Sequence, residues 1–118
     1  METSRAAAAQ ADAIKMFSYG VFTKLEGAVT AGMIHLGDRL GLYTFLAQNS
    51  NVTSKEIADG CGLHERWVRE WAYNQAAAHL LTSNTSADGE VLFGLSDEAV
   101  AVLATPEHPA YGMGMFHR

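Results

Sequence analysis

The sequence predicts a mainly α fold: a winged helix-turn-helix with a small β-hairpin wing, preceded by long apolar N-terminal helices. Three observations carry this. Residues Thr53 to Leu81 read as two short helices around a tight turn, followed by a strand. Asp88-Gly89 sits between two strand-like runs, Leu80 to Thr85 and Val91 to Leu95, as a hairpin turn should. Ahead of both, Ile14, Phe17, Val21, Phe22, Leu25, Val29, Met33 and Leu36 recur at helical spacings.

Residues 1–10 are alanine-rich and weakly patterned, the signature of a flexible, frayed helix start. A single domain is expected over 11–118, and helical periodicity is clear over 11–41. Gly20 is a place where that pattern could break or kink. Gly27, Ala28, Ala31 and Gly32 are small enough to let helix backbones approach closely. They suit either packing within the chain or a subunit interface. The remaining residues supply too little core to cover both faces of this region, which favours a partner. Gly37 and Gly41 bracket a joint, and Leu42, Tyr43, Phe45 and Leu46 then form a short amphipathic helix.

The helix-turn-helix core is expected over 42–81. Thr53-Ser54-Lys55-Glu56 is a capping box, with Val52 and Ile57 placed as a hydrophobic staple. Ile57 and Ala58 face inward, Gly60 is the expected C′ stop, and Cys61-Gly62-Leu63 makes the turn. The next helix is expected from about His64 to His79. Trp67, Val68, Trp71, Ala72, Gln75, Ala76 and Leu80 form two inward rows on it. The wing covers 80–95. Ser96 caps a helix over 96–105, with Asp97 and Glu98 in its first turn and Ala99, Val100, Val102 and Leu103 on its buried side. Pro106 and Pro109 end it, leaving an apolar tail over 106–118 that looks like the opening of a further helix, so that either it docks on a partner or the chain is a piece of something longer.

Composition excludes several function classes. The 118 residues are 48% hydrophobic, so wholesale disorder is ruled out. Net charge is −5, against the basic balance of a dedicated nucleic-acid binder. A single cysteine, Cys61, forms no internal disulfide and fits a reducing compartment. No apolar run approaches the roughly 18 residues of a membrane span, and no secretory signal opens the chain, so a cytoplasmic location is expected.

Catalytic and cofactor signatures are missing too. His35, His64, His79, His108 and His117 stand in no metal-ligand spacing. Cys61 precedes a helix that could lower its thiol pKa, with His64 as a nearby base, but a small apolar turn residue is the simpler reading. Gly112-Met113-Gly114 lacks the strand and acidic residue of a nucleotide site. Trp67 and Trp71 fit core packing better than a ligand cage. A pocket around Met33, Trp71, Met113 and Phe116 rests on composition only.

The segments Gly37-Asp38-Arg39-Leu40-Gly41-Leu42-Tyr43, Thr53 to Ala58, Gly62 to Trp71 and Phe93-Gly94-Leu95-Ser96, with the helix that follows to Pro106, resemble one known arrangement. It is the N-terminal domain of class I S-adenosylmethionine-dependent methyltransferases, of the small-molecule O-methyltransferase type. The resemblance covers about residues 11–116. It implies a non-catalytic domain that dimerises and helps cap a substrate pocket. It also implies that S-adenosylmethionine is held by a following Rossmann-like domain and that no cofactor binds these residues. Whether the chain is a fragment or an independent small dimer stays open.

Two functions compete. In a homodimer, Phe17, Val21, Phe22, Leu25, Val29 and Met33 are the interface. In a small transcriptional regulator, Arg66, Arg69, Tyr73 and Asn74 would contact DNA, since arginine and asparagine suit guanine and adenine edges. The acidic charge and the wing loop, with Asp88 and Glu90 and no lysine or arginine, disfavour DNA.

Overall fold

A computed structural model describes residues 2–113. Among them it contains five helices and one hairpin, in the order α1 (Glu2–Arg39), α2 (Leu42–Gln48), α3 (Ser54–Cys61), α4 (Glu65–Ala77), β1 (Thr82–Thr85), β2 (Val91–Gly94) and α5 (Asp97–Leu103). The chain divides into two compact units, Met1–Ala31 and Gly32–Arg118. The division falls within α1, not at residue 10.

In the first unit α1 is helical from Glu2, so the expected frayed start is absent over 2–10. Alanine is the strongest helix former and no proline interrupts it. Gly20 does not break the helix, because one interior glycine costs only about 1 kcal/mol relative to alanine. The helix also runs through Gly37 to Arg39, past the expected joint. The stop is Gly41, whose φ of 74° is left-handed. Gly37 serves a different purpose: it lies against the rings of Trp71 and Tyr43.

The second unit holds the core. Leu42, Tyr43 and Leu46 of α2, Ile57 and Ala58 of α3, and Val68, Trp71 and Ala72 of α4 are buried together with Leu81, Phe93, Leu103 and Met113. The capping box of α3 forms as the spacing predicts. The Glu56 N–H donates to Thr53 Oγ1 at 3.1 Å, and the Thr53 N–H donates to Glu56 Oε1 at 3.0 Å. The helix passes Gly60 and ends at Gly62, with φ 68°; the Gly62 N–H reaches the Ala58 carbonyl. Gly60 is small for steric reasons, since a Cβ there would meet the Phe45 ring.

Helix α4 is shorter than expected, ending at Ala77. His79 adopts a left-handed φ of 62°, and the Leu80 and Leu81 N–H groups fold back onto the Gln75 carbonyl. This reversal consumes the residues expected to start the wing strand, so β1 begins at Thr82. Trp67, expected in an inward row, is exposed at 36%, unlike the buried Trp71. The hairpin pairs Thr82 with Gly94 and Thr85 with Val91. A bridge between Val52 and Phe93, with N–H···O distances of 3.0 and 2.7 Å, ties the hairpin to the start of α3.

Ser96 caps α5 by accepting from the Ala99 N–H at 3.2 Å. Val102, expected inside, is 37% exposed, because a helix this short turns mainly Leu103 into the core. The start of the apolar tail folds back on its own unit: the Gly112 N–H donates to the Val102 carbonyl and Met113 is buried. Phe116 and His117 lie outside the described residues.

Candidate interaction surfaces

Three surfaces come into question. The first is the apolar stripe of α1. Phe17 is 77% exposed, and Val21, Phe22, Leu25 and Val29 are also exposed, as are Ile14, Met16 and Tyr19. At 3.6 residues per turn, Ile14, Phe17, Val21, Phe22, Leu25 and Val29 fall within an arc of about 140°. Met33 differs from the other expected interface residues. It is half-buried against the core, and its carbonyl accepts from Trp71 Nε1 at 2.9 Å.

The second is the outer face of α4, the position of a recognition helix. Arg66 is exposed. Arg69 lies 4.0 Å from Glu65, one turn earlier on the same helix. The Tyr73 ring stands edge-on to Phe93 of the wing, with centroids 5.6 Å apart. Asn74 is half-buried, and its Oδ1 accepts from Gln75 Nε2. Of the four residues a DNA reader would use, only the two arginines offer charge, and Glu65 offsets one of them. The wing loop turns at Gly89, φ 85°, and presents Asp88 and Glu90. Such a surface repels phosphate more than it attracts it.

The third is an open cleft of about 310 Å³ where the start of α3, the face of α4 and the wing meet. Thr53, Ser54, Lys55, Glu65, Arg69, Tyr73, Glu90, Val91 and Phe93 line it. Ser54 donates to Glu65 Oε1 at 3.1 Å across it. Sequence reasoning missed this cleft, because it exists only once the wing folds against α4. The one local signal is Tyr73, an aromatic on an otherwise charged helical face. Of the Met33, Trp71, Met113 and Phe116 grouping, Trp71 and Met113 are packed into the core and Met33 is half-buried against it, while Phe116 lies outside the described residues.

Cys61 ends α3 instead of leading a helix, and burial pushes its thiol pKa up, away from the reactive range. No group of three or more His, Cys, Asp or Glu among these residues could hold a metal ion. No helix among them is long and apolar enough to cross a membrane. Their one sheet is the two-stranded hairpin, which provides no frame for a Rossmann-like cofactor site.

Several solved structures share this fold. Human N-acetylserotonin methyltransferase in complex with SAM matches 75% of this chain at 15% identity, with a TM-score of 0.67. PigF with SAH matches 84% at 17% identity and a TM-score of 0.67. CalO1, a methyltransferase in calicheamicin biosynthesis in its SAH-bound form, matches 84% at 20% identity and a TM-score of 0.61. The matched part is 26%, 30% and 28% of those chains, so this chain spans under a third of each. No curated protein sequence gives a significant match. The profile of one family, the Rv2258c-like winged HTH domain, matches residues 28–104, and the chain belongs to that family.

Proposed function

We propose that this chain is a homodimerising winged-helix domain of methyltransferase type, without methyltransferase activity of its own. The observation that carries the reading is the bare apolar stripe of α1. The side chains from Ile14 to Val29 present on the order of 600 Å² of apolar surface per protomer, near the ~800 Å² per partner of a standard interface. An isolated helix gains little from its backbone in water and depends on packing of its apolar face. A second copy of the same stripe provides that packing. The resemblance to methyltransferase N-terminal domains, with their dimerising role, supports the same reading.

On this reading the chain is cytoplasmic. The winged helix acts as a scaffold holding an oligomer interface, and binds neither DNA nor S-adenosylmethionine. S-adenosylmethionine would belong to a Rossmann-like domain in a longer protein. Sedimentation equilibrium of the chain at tens of micromolar tests it. A dimer is expected, and Leu25→Glu should weaken it by about 100-fold, since a buried unpaired charge costs several kcal/mol. A monomeric wild-type chain, or a shift of random DNA fragments at low salt that Arg69→Ala abolishes, would overturn the proposal.

A further inference from the structure

We infer that two copies of this chain pair their α1 helices antiparallel, with the two-fold axis at Val21–Phe22. The inference rests on the dimer reading above and specifies its geometry. Two observations lead to it. The first is the symmetry of the stripe. Reversing α1 about the midpoint between Val21 and Phe22 sets Ile14 opposite Val29 and brings Phe17 beside Leu25. Bulky residues therefore meet bulky residues along the whole stripe, and an isologous contact of this kind closes on itself.

The second is charge. Lys15 and Glu26 are both exposed, and neither is in an ion pair among the described residues. On the helical wheel they lie about 20° apart, on one flank of the stripe. An antiparallel pair brings like flanks together. Lys15 of one copy then lies about 3 Å along the axis from Glu26 of the other, within reach of a lysine side chain, and the pair occurs twice. A parallel pair would bring opposite flanks together, matching Glu26 to Lys24 and leaving Lys15 without an acid. Antiparallel helices also oppose their macrodipoles favourably.

Cysteine cross-linking in the full chain with Cys61→Ser separates the geometries. One chain carries Ile14→Cys and a second, distinguishable by mass, carries Val29→Cys. Both positions are exposed, so neither change disturbs a core. Antiparallel pairing puts these residues face to face, whereas an in-register parallel pair holds them about 22 Å apart, beyond disulfide reach. Mild oxidation of the mixture should give the mixed product and little of either self-product.

Charge reversal provides a second readout at low salt. Lys15→Glu should raise the dimer dissociation constant about tenfold, Glu26→Lys added to it should restore affinity, and Lys24→Glu should change it less than twofold. Dominant self-products, with Lys24→Glu as the damaging change, would overturn the antiparallel geometry in favour of a parallel one. A dimer in sedimentation that gives no cross-link at either position would place the contact on another face and also overturn it. A monomeric wild-type chain would instead sink the dimer reading beneath it.

Discussion

Phe17 and Phe93 are the same side chain in opposite situations. Phe93 sits in β2, 1% exposed, with Tyr73 edge-on to its ring and Val52 bridged to its backbone. Phe17 sits on α1 with 77% of its surface in water. Around Phe93 the helices, the hairpin and the chain leading into α3 converge from several directions, so an apolar side chain finds neighbours within its own unit. Around Phe17 there is one helix, and a helix cannot bury its own stripe. A buried phenylalanine is worth on the order of 1.5–3 kcal/mol by transfer. One unit collects that within the chain, and the other leaves it available to a second copy.

The sharpest contrast comes from deleting an aromatic in each unit. Trp71 is fully buried, bonded through Nε1 to the Met33 carbonyl and packed on Tyr43 with centroids 5.5 Å apart. Trp71→Ala should cost about 3–5 kcal/mol of unfolding free energy, read from urea denaturation followed by circular dichroism. Phe17→Ala should leave the same measurement, made at a concentration too low for self-association, within about 0.5 kcal/mol. Equal losses at the two positions would mean that α1 is packed within the chain after all.

Glycine substitution sharpens the comparison at the next level. A Cβ on Gly37 would stand 2.6 Å from Trp71 Cζ2 and 2.8 Å from Tyr43 Cε2. Both rings are fully buried and have nowhere to go. Gly37→Ala should therefore cost about 1–3 kcal/mol, although alanine is the better helix former. Thermal unfolding checks the sign, since a gain in stability would mean that the rings can yield.

Tyr43 adds a pH-dependent test of the same packed unit. Its hydroxyl donates to Gln75 Oε1, and both side chains are buried. Tyr43→Phe leaves the Gln75 acceptor short of a partner and should cost about 1–2 kcal/mol at neutral pH. Burial first, and the charge of Asp38 second, push the Tyr43 hydroxyl well above its ordinary pKa. The unfolded chain then loses that proton at about pH 10 while the folded chain keeps it. Stability from this group is thus complete below about pH 10 and declines as pH rises beyond it. Urea midpoints measured between pH 8 and 11 should fall for the wild type and fall less steeply for Tyr43→Phe.

How much of this was legible beforehand divides along the same line. The capping box at Thr53 and Glu56, the Gly89 turn and the Ser96 cap were readable because each depends on residues within three or four positions. The buried row Val68, Trp71, Ala72 and Gln75 was readable from helical period. What could not be read depends on distant partners. Gly60 and Gly62 look alike in sequence, and only the Phe45 ring against the first and the left-handed turn at the second tell them apart. Gly37 reads as a hinge until Trp71, thirty-four positions later, is seen to lie against it. The bridge from Val52 to Phe93 and the cleft beneath the wing are non-local in the same way. For the exposed stripe of α1, periodicity showed which residues share a face but not what covers it.

The smallest expected effect runs in the opposite direction. Gly27 lies in the exposed part of α1, and a Cβ there would meet nothing within 4 Å. No contact in the chain demands a glycine at that position, so it carries only the entropic cost of an interior helical glycine. Gly27→Ala should stabilise α1 by about 0.5–1 kcal/mol, seen as higher helicity on heating. On the helical wheel Gly27 lies far from the Phe17–Val29 stripe, roughly opposite it. The dimer dissociation constant should consequently stay within twofold, and a marked loss of affinity would place the contact on the small-residue face of the helix instead of the bulky one. The same glycine-to-alanine change thus destabilises where the chain has filled its own space, at Gly37, and stabilises where it has not.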